Sequence, residues 1–198
     1  MQDIRTSQFI LASASPRRRD LLRKAGYCFE IVPSGVDESK YNVNGICSEE
    51  HTKILALAKA NDIAATFPNA VVMGSDTVVD LDGEIIGKPD DVTHAEEIIR
   101  KLFSRPHKVI TGLAMVCIEK TIEIVEADTT VVYPRRLTEA QIAEHIINGQ
   151  WQGKAGAYGI QETGDEFVER IDGSFTNVMG LPMELVKVVL GKLGIHSK

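Results

Sequence analysis

The apolar run Phe9-Ile10-Leu11-Ala12, followed almost at once by Ser15-Pro16, constrains the fold of this chain more than any other stretch. Four apolar residues suit a short buried strand, and a hydroxyl N-cap followed by proline at the first helical position opens a helix. The strand therefore feeds into a helix N-terminus whose unpaired N–H groups point past the strand's end. Arg17, Arg18 and Arg19 fill the first turn of that helix. Basic residues there oppose the macrodipole, and a purely structural turn would favour Asp or Glu. Two readings stand: a solvated basic turn, or a site for an external anion such as phosphate, to which Arg17 and Arg18 add charge.

The remaining chain narrows the classes of partner. With 198 residues, 43% hydrophobic and 25% charged, it has the make-up of an ordinary globular protein of one large domain or two small lobes. A formal net charge of −6 argues against stable nucleic-acid binding, which needs a basic face. Cys28, Cys47 and Cys117 are odd in number and in no metal-type spacing, so neither a disulfide framework nor a zinc site is indicated. No stretch has the apolar length of a membrane span and the polar start lacks a signal core, so a cytoplasmic location and no membrane contact are expected.

Along the chain, Gly26 is placed to stop the first helix, Phe29 to Val32 reads as a strand, and Ser34 to Ser39 as a polar loop. Asp37 and Glu38 in that loop are either solvated or a functional acidic pair. Ser48 to about Ala65 has helical spacing, and Lys59, among small apolar residues, either snorkels outward or directs its ammonium into a cleft. Ala70 to Val79 reads as a buried strand broken by Gly74 and Asp76. A carboxylate in such a run is costly unless paired, hydrogen-bonded or bound to a cation. Asp82-Gly83 predicts a hairpin returning the chain to Gly87-Lys88-Pro89, and Thr93 to Glu96 predicts a capping box for the next helix. Two long strands are expected over 107–118 and 121–133, then a helix from the capping box at Thr138 to Ile147, a strand from Phe167 to Ile171, and a last helix opened by Pro182. His107 at a strand start reads as a hydrogen-bonded structural residue or a ligand. Between them Gly153 to Gln161 is too rich in small residues for a packed element; it matches neither the Walker nor the dinucleotide pattern, but lets a ligand approach the backbone.

Taken together, Ser13-Ala14-Ser15-Pro16-Arg17-Arg18, Asp37-Glu38, Ala58-Lys59-Ala60, Gly74-Ser75-Asp76-Thr77, Gly87-Lys88-Pro89, Thr111-Gly112, Gly153 to Gln161 and Gly180-Leu181-Pro182 resemble the Maf family of nucleoside triphosphate pyrophosphatases. The resemblance covers nearly the whole chain, as a single domain over 1–198. It implies a mixed α/β fold with an elongated twisted sheet, flanking helices and two lobes around a cleft, similar to inosine triphosphate pyrophosphatases, and a homodimer. Asp76 matches the family's catalytic acidic residue, and Glu38, Lys59 and Lys88 match residues lining the triphosphate and metal site. Ser13 and Ser15 stand in the signature of the nucleotide site. Arg17, Thr77 and Gln161 match positions tied to base preference, and Thr77 with Gln161 places the chain with members acting on dTTP and UTP rather than 7-methyl-GTP. Leu102 to His107 departs from the family's usual Leu-Ser-Gly before the histidine.

The chemistry these residues imply is hydrolysis of a pyrimidine nucleoside triphosphate to monophosphate and pyrophosphate, clearing standard or modified nucleotides from the pool. Asp76 and Glu38 offer oxygen ligands suited to Mg²⁺ or Mn²⁺, and either could activate water. Arg17, Arg18, Lys59, Lys88 and the helix N-terminus supply positive charge. The alternative is a nucleotide sensor that regulates cell division through a protein partner; it would need the anion site without the acidic one.

Overall fold

The computed structural model describes residues 8–41, 45–149, 151–159 and 167–198. Its elements follow the periodicities closely. The strands are β1 (Phe9–Leu11), β2 (Glu30–Ile31), β3 (Val71–Leu81), β4 (Glu84–Ile86), β5 (His107–Cys117), β6 (Ile122–Pro134) and β7 (Val168–Asp172). The helices are α1 (Pro16–Lys24), α2 (Ser48–Ala64), α3 (Val92–Leu102), α4 (Glu139–Ile147), α5 (Phe175–Val178) and α6 (Met183–Lys192). Single 3₁₀ turns cover Glu38–Lys40 and Ala155–Ala157. The first of these turns forms inside the expected polar loop, where the Asp37 carboxylate accepts from the Ser39 N–H at 3.2 Å.

Local chemistry sets most boundaries. Ser15 caps α1 with Pro16 at its first position, and Gly26 beyond its end takes φ +83°, the left-handed stop that glycine permits. Thr138 and Gln141 form the reciprocal capping box of α4. The cap of α3 is corrected: the Asp91 carboxylate accepts from the His94 N–H at 2.8 Å, and Thr93 lies inside the helix. Asp91 wins because a charged acceptor satisfies the N-terminal donors better than a hydroxyl two residues on.

The mixed seven-stranded sheet runs β2-β1-β3-β5-β6-β7, with β4 on β3. β1 pairs in parallel with β2 and with Val71–Met73 of β3, and the remaining pairings are antiparallel. Apolar clusters cover both faces: α2 lies on one through Ala56, Ala60 and Ile63, while α1 and α6 cover the other through Leu22, Val186 and Leu190. A third cluster joins α3 and α4 to the far halves of β3 and β5 through Leu81, Ile99, Leu102 and Trp151.

Two sheet glycines let α2 sit unusually close. A Cβ on Gly74 would stand 2.1 Å from the Ala56 carbonyl oxygen, and one on Gly112 would stand 2.3 Å from that of Thr52. Only bare Cα atoms accommodate the helix backbone at this distance. The interruption of an otherwise apolar strand by Gly74 is thus the seat of α2, and the seat fixes how deep Lys59 reaches.

Candidate active site

The site opens where β3 changes partners. Along one edge β3 pairs with β5 from Val72 to Asp80; along the other it pairs with β1 at Val71–Met73 and with β4 at Val79–Leu81. Between those contacts, residues 74–78 have no strand on that edge among the described residues. A sheet edge left open where strand order switches is a usual place for a ligand, because the loops and helix starts leaving neighbouring strands converge there. Here they enclose a cavity of about 660 Å³, within the range of small-molecule sites.

One end of the cavity is acidic. Asp76 shares the face of β3 that carries Gly74, since alternate residues face the same way, and so it points toward α2. It is 7% exposed, and Lys59 answers it: the ammonium lies 2.7 Å from Asp76 Oδ1 and 2.7 Å from Glu38 Oε1. Lys59 therefore enters the cleft rather than snorkelling out. Partial burial opposes ionisation of Glu38, but the hydrogen bond and charge of Lys59, with Lys88 and Arg18 behind, outweigh it and lower the carboxyl below its ordinary range. Asp37 stays outside this group, occupied by Ser39 and Lys40. Lys88 lines the same cavity from the exposed segment after β4 and has no ion pair among the described residues.

The opposite face of β3 carries Thr77, directly across from Thr111 on β5. Arg18, expected to offer its charge to a substrate, lines the cavity on this face and is also engaged by the protein itself. Its guanidinium donates from Nε to the Gly180 carbonyl (2.8 Å), from Nη1 to the Ser75 carbonyl (2.9 Å) and Ser13 Oγ (3.2 Å), and from Nη2 to Thr77 Oγ1 (3.0 Å). Most of its donors are thus taken by protein, and it ties β1, the open edge of β3 and the loop before α6 together. The Thr77 hydroxyl, besides accepting from Arg18, lies 3.0 Å from Thr111 Oγ1 and is held within the same network. Ser13 Oγ also accepts from the Ser15 N–H, and Ser15 is occupied as the cap of α1. Gln161 lies outside the described residues.

The far end is formed by the glycine-rich segment. Its backbone is held by the Gly156 N–H bonded to the Gly87 carbonyl, by His145 Nε2 at 2.8 Å from the Ala157 carbonyl, and by the Tyr158 hydroxyl at 2.6 Å from His107 Nε2. His107 is accordingly a structural residue behind the cavity. Val79, Val109, Tyr158, Val178 and Met179 make this end largely apolar, and two cations, Arg17 and Lys154, face into it. Lys154 has no role in the sequence expectations, where its segment offers a ligand only close approach to the backbone. A cation set among glycines was the signal available.

No group of three or more His, Cys, Asp or Glu side chains among the described residues could by itself enclose a metal ion. The donor set still suits a small hard cation that keeps several waters and binds through one or two carboxylates plus substrate phosphates. Asp76 and Glu38, meeting on one ammonium, are such a pair.

Comparisons with known proteins show what the whole chain is similar to. The family model described as Maf-like protein matches residues 8–193. The chain is 43% identical over 188 residues to the dTTP/UTP pyrophosphatase of Geotalea uraniireducens (strain Rf4), covering 95% of this chain and 96% of the relative. It is 42% identical over 189 residues to the dTTP/UTP pyrophosphatase of Moorella thermoacetica, covering 96% of each. Among solved structures, a HAM1 protein from Coxiella burnetii superposes with a TM-score of 0.53 at 12% identity, covering 94% of this chain and 100% of that one, a likeness of fold alone.

Proposed function

This chain belongs to the Maf family, and from that premise we propose that it hydrolyses dTTP and UTP to the nucleoside monophosphate and pyrophosphate. The observation that carries the reading is the buried Asp76 at the open edge of β3, paired with Lys59 in a cavity of nucleotide size. A nucleotide sensor needs no such acidic centre, so this pairing supports catalysis over sensing. Full-length similarity to curated relatives named dTTP/UTP pyrophosphatase favours pyrimidine substrates over 7-methyl-GTP.

The residues divide the work as follows. Water attacks the α-phosphorus, its proton passes to a carboxylate, the bond from that phosphorus to the bridging oxygen breaks, and pyrophosphate leaves. Asp76 is assigned as the base, by its match to the family's acidic residue. Lys59 holds one of its oxygens at 2.7 Å, which fixes the carboxylate's orientation and leaves the other oxygen for the water. Lys88 and Lys59 face the growing negative charge on the leaving group, where fixed cations contribute most. Asp76 and Glu38 would hold Mg²⁺ or Mn²⁺, which when bound supplies charge neutralisation on the phosphate oxygens. We place the enzyme in the cytoplasm as a homodimer; among the described residues no helix is long and apolar enough to cross a membrane.

The test is a substrate panel of dTTP, UTP, GTP and 7-methyl-GTP with Mg²⁺ or Mn²⁺, with products resolved. Thymidine monophosphate and pyrophosphate are expected, with kcat/KM highest for dTTP and UTP. Release of orthophosphate and the diphosphate sinks the proposal. Treatment with EDTA should abolish turnover and added Mg²⁺ or Mn²⁺ should restore it; turnover surviving exhaustive chelation removes Asp76 and Glu38 from the metal role.

A further inference from the structure

Lys154, like Arg17, is a charged group lining the cavity that this mechanism leaves unused. It is half-buried, and no carboxylate among the described residues pairs with it. Its side chain lies across Gly159, where an added Cβ would meet Nζ at 3.3 Å and Cδ and Cε at 3.4 Å. The absence of a side chain at Gly159 makes the bed for this stem, and the bed aims the ammonium into the cavity. Desolvation lowers its pKa first, and the neighbouring Arg17 lowers it further; no carboxylate raises it. The acidic end behaves differently, since Lys88 and Arg18 are both felt at Glu38. Among the described residues neither Lys154 nor Arg17 forms an ion pair with the carboxylates, and the cavity wall they share also carries Val109, Tyr158, Val178 and Met179. A phosphate chain belongs with the acids, their cation and Lys88. A flat heterocycle belongs between apolar and aromatic walls.

We propose that Lys154 is a specificity residue, its ammonium donating to a carbonyl oxygen of an uncharged base while, with Arg17, it turns away bases that present donors or positive charge. The assignment rests on the pyrophosphatase reading above and adds to it a reader of the base. Lysine offers three donors and no acceptor. Thymine and uracil present O4, an acceptor, where cytosine presents the N4 amino donor. 7-Methylguanine carries a positive ring, which two cations without a carboxylate partner among the described residues repel. One side chain thus favours dTTP and UTP and disfavours both CTP and 7-methyl-GTP.

The test uses Lys154→Met, which keeps the stem on Gly159 and removes the charge, together with Lys154→Arg. In Lys154→Met, kcat/KM for dTTP and UTP is expected to fall about 10- to 100-fold, the scale of a hydrogen bond to a charged group. The values for CTP and 7-methyl-GTP should not fall, and that for 7-methyl-GTP should rise, while Lys154→Arg restores much of the pyrimidine-dione preference. Inhibition by inorganic pyrophosphate should be the same in all three proteins. An equal loss for every base, or pyrophosphate inhibition weakened along with turnover, makes Lys154 a phosphate ligand and overturns the proposal. No change at all makes it a packing residue and overturns it too. Calorimetric binding of thymidine and cytidine monophosphates reads the same preference without turnover. A wild-type protein that prefers the thymidine nucleotide through Lys154, yet releases no pyrophosphate from dTTP, would refute the reaction and leave the base reader standing.

Discussion

The two ends of the cavity use the same residue types to opposite effect. At the acidic end Lys59 is closed between Asp76 and Glu38, so its charge is balanced whether or not a ligand is present. At the far end Arg17 and Lys154 have no carboxylate among the described residues and lie beside one another. Arg17 and Arg18 show how fine the division is, since adjacent positions on α1 send one guanidinium into the open cavity and the other into a web of carbonyls and hydroxyls. The difference separates two tasks. Two carboxylates sharing one ammonium keep that ammonium answered and leave oxygen atoms that a cation could still use. An unbalanced pair stores unfavourable charge that only the right ligand relieves, and such a site discriminates.

The largest effect is expected from breaking the balanced end. Asp76→Asn keeps the shape and a hydrogen-bond acceptor near Lys59 but cannot take a proton. Turnover of dTTP should fall on the order of 10²-fold or more while far-ultraviolet circular dichroism stays native. The variant should still prefer dTTP over CTP, because the reader of the base lies at the other end. Near-normal turnover in Asp76→Asn would make that carboxylate structural and move the search for the base to Glu38.

A smaller effect tests how the balanced end is positioned. Gly74→Ala drives a methyl group into the Ala56 carbonyl and the Ala60 N–H, so α2 must lift and carry Lys59 with it. A cost of about 1–3 kcal/mol in unfolding free energy is expected, the usual range for overpacking, together with reduced turnover of the folded protein. Gly87→Ala is the control: nothing stands within 4 Å of its added Cβ, and its stability should change by less than about 0.5 kcal/mol. If denaturant titrations give the two variants equal stability, the close seat of α2 is not what sets Lys59.

These comparisons also show which parts of the molecule were legible beforehand. Ser15-Pro16, Gly26, the Asp82-Gly83 turn and the Thr138 box act within a few residues of chain, and each places its element where expected. Asp76 stood out because a carboxylate in an apolar strand needs a partner wherever the strand ends up. What could not be read is whatever depends on a partner distant in sequence. Gly74 looked like an interruption until α2 was laid on it, and Lys59 had two outlets until the glycine seat chose one. Arg17 and Arg18 were indistinguishable because the acceptors that separate them, Ser75, Thr77 and Gly180, come from β3 and from the other end of the chain. Lys154 is a mixed case: its bed, Gly159, is close in sequence, but its neighbour Arg17 comes from α1 at the other end of the chain.

The smallest effect concerns what stands behind the unbalanced end. The Tyr158 hydroxyl meets His107 Nε2 at 2.6 Å, and this contact helps anchor the segment from which Lys154 projects. Burial pushes the His107 pKa below 6.5, and the backbone carbonyls of Arg105 and Leu102 offset this only in part. In the unfolded chain the imidazole titrates near its ordinary value, so above pH about 6.5 both states are neutral and the full stability is present. As the pH falls below that value the unfolded chain takes up the proton first, and stability declines until the pH has passed the lower folded-state pKa, where the loss is complete. The melting temperature should therefore fall between pH 7.5 and 5.5, and His107→Gln, which keeps a hydrogen-bonding group but does not titrate, should show a shallower fall. Because the folded protein keeps His107 neutral until the pH reaches its lowered pKa, the dTTP-to-CTP preference of the wild type should hold while the melting temperature is already falling, and should narrow only once the anchor itself is protonated, with pyrophosphate inhibition staying level. Parallel melting curves for wild type and His107→Gln across that range would show that His107 is not the group being titrated.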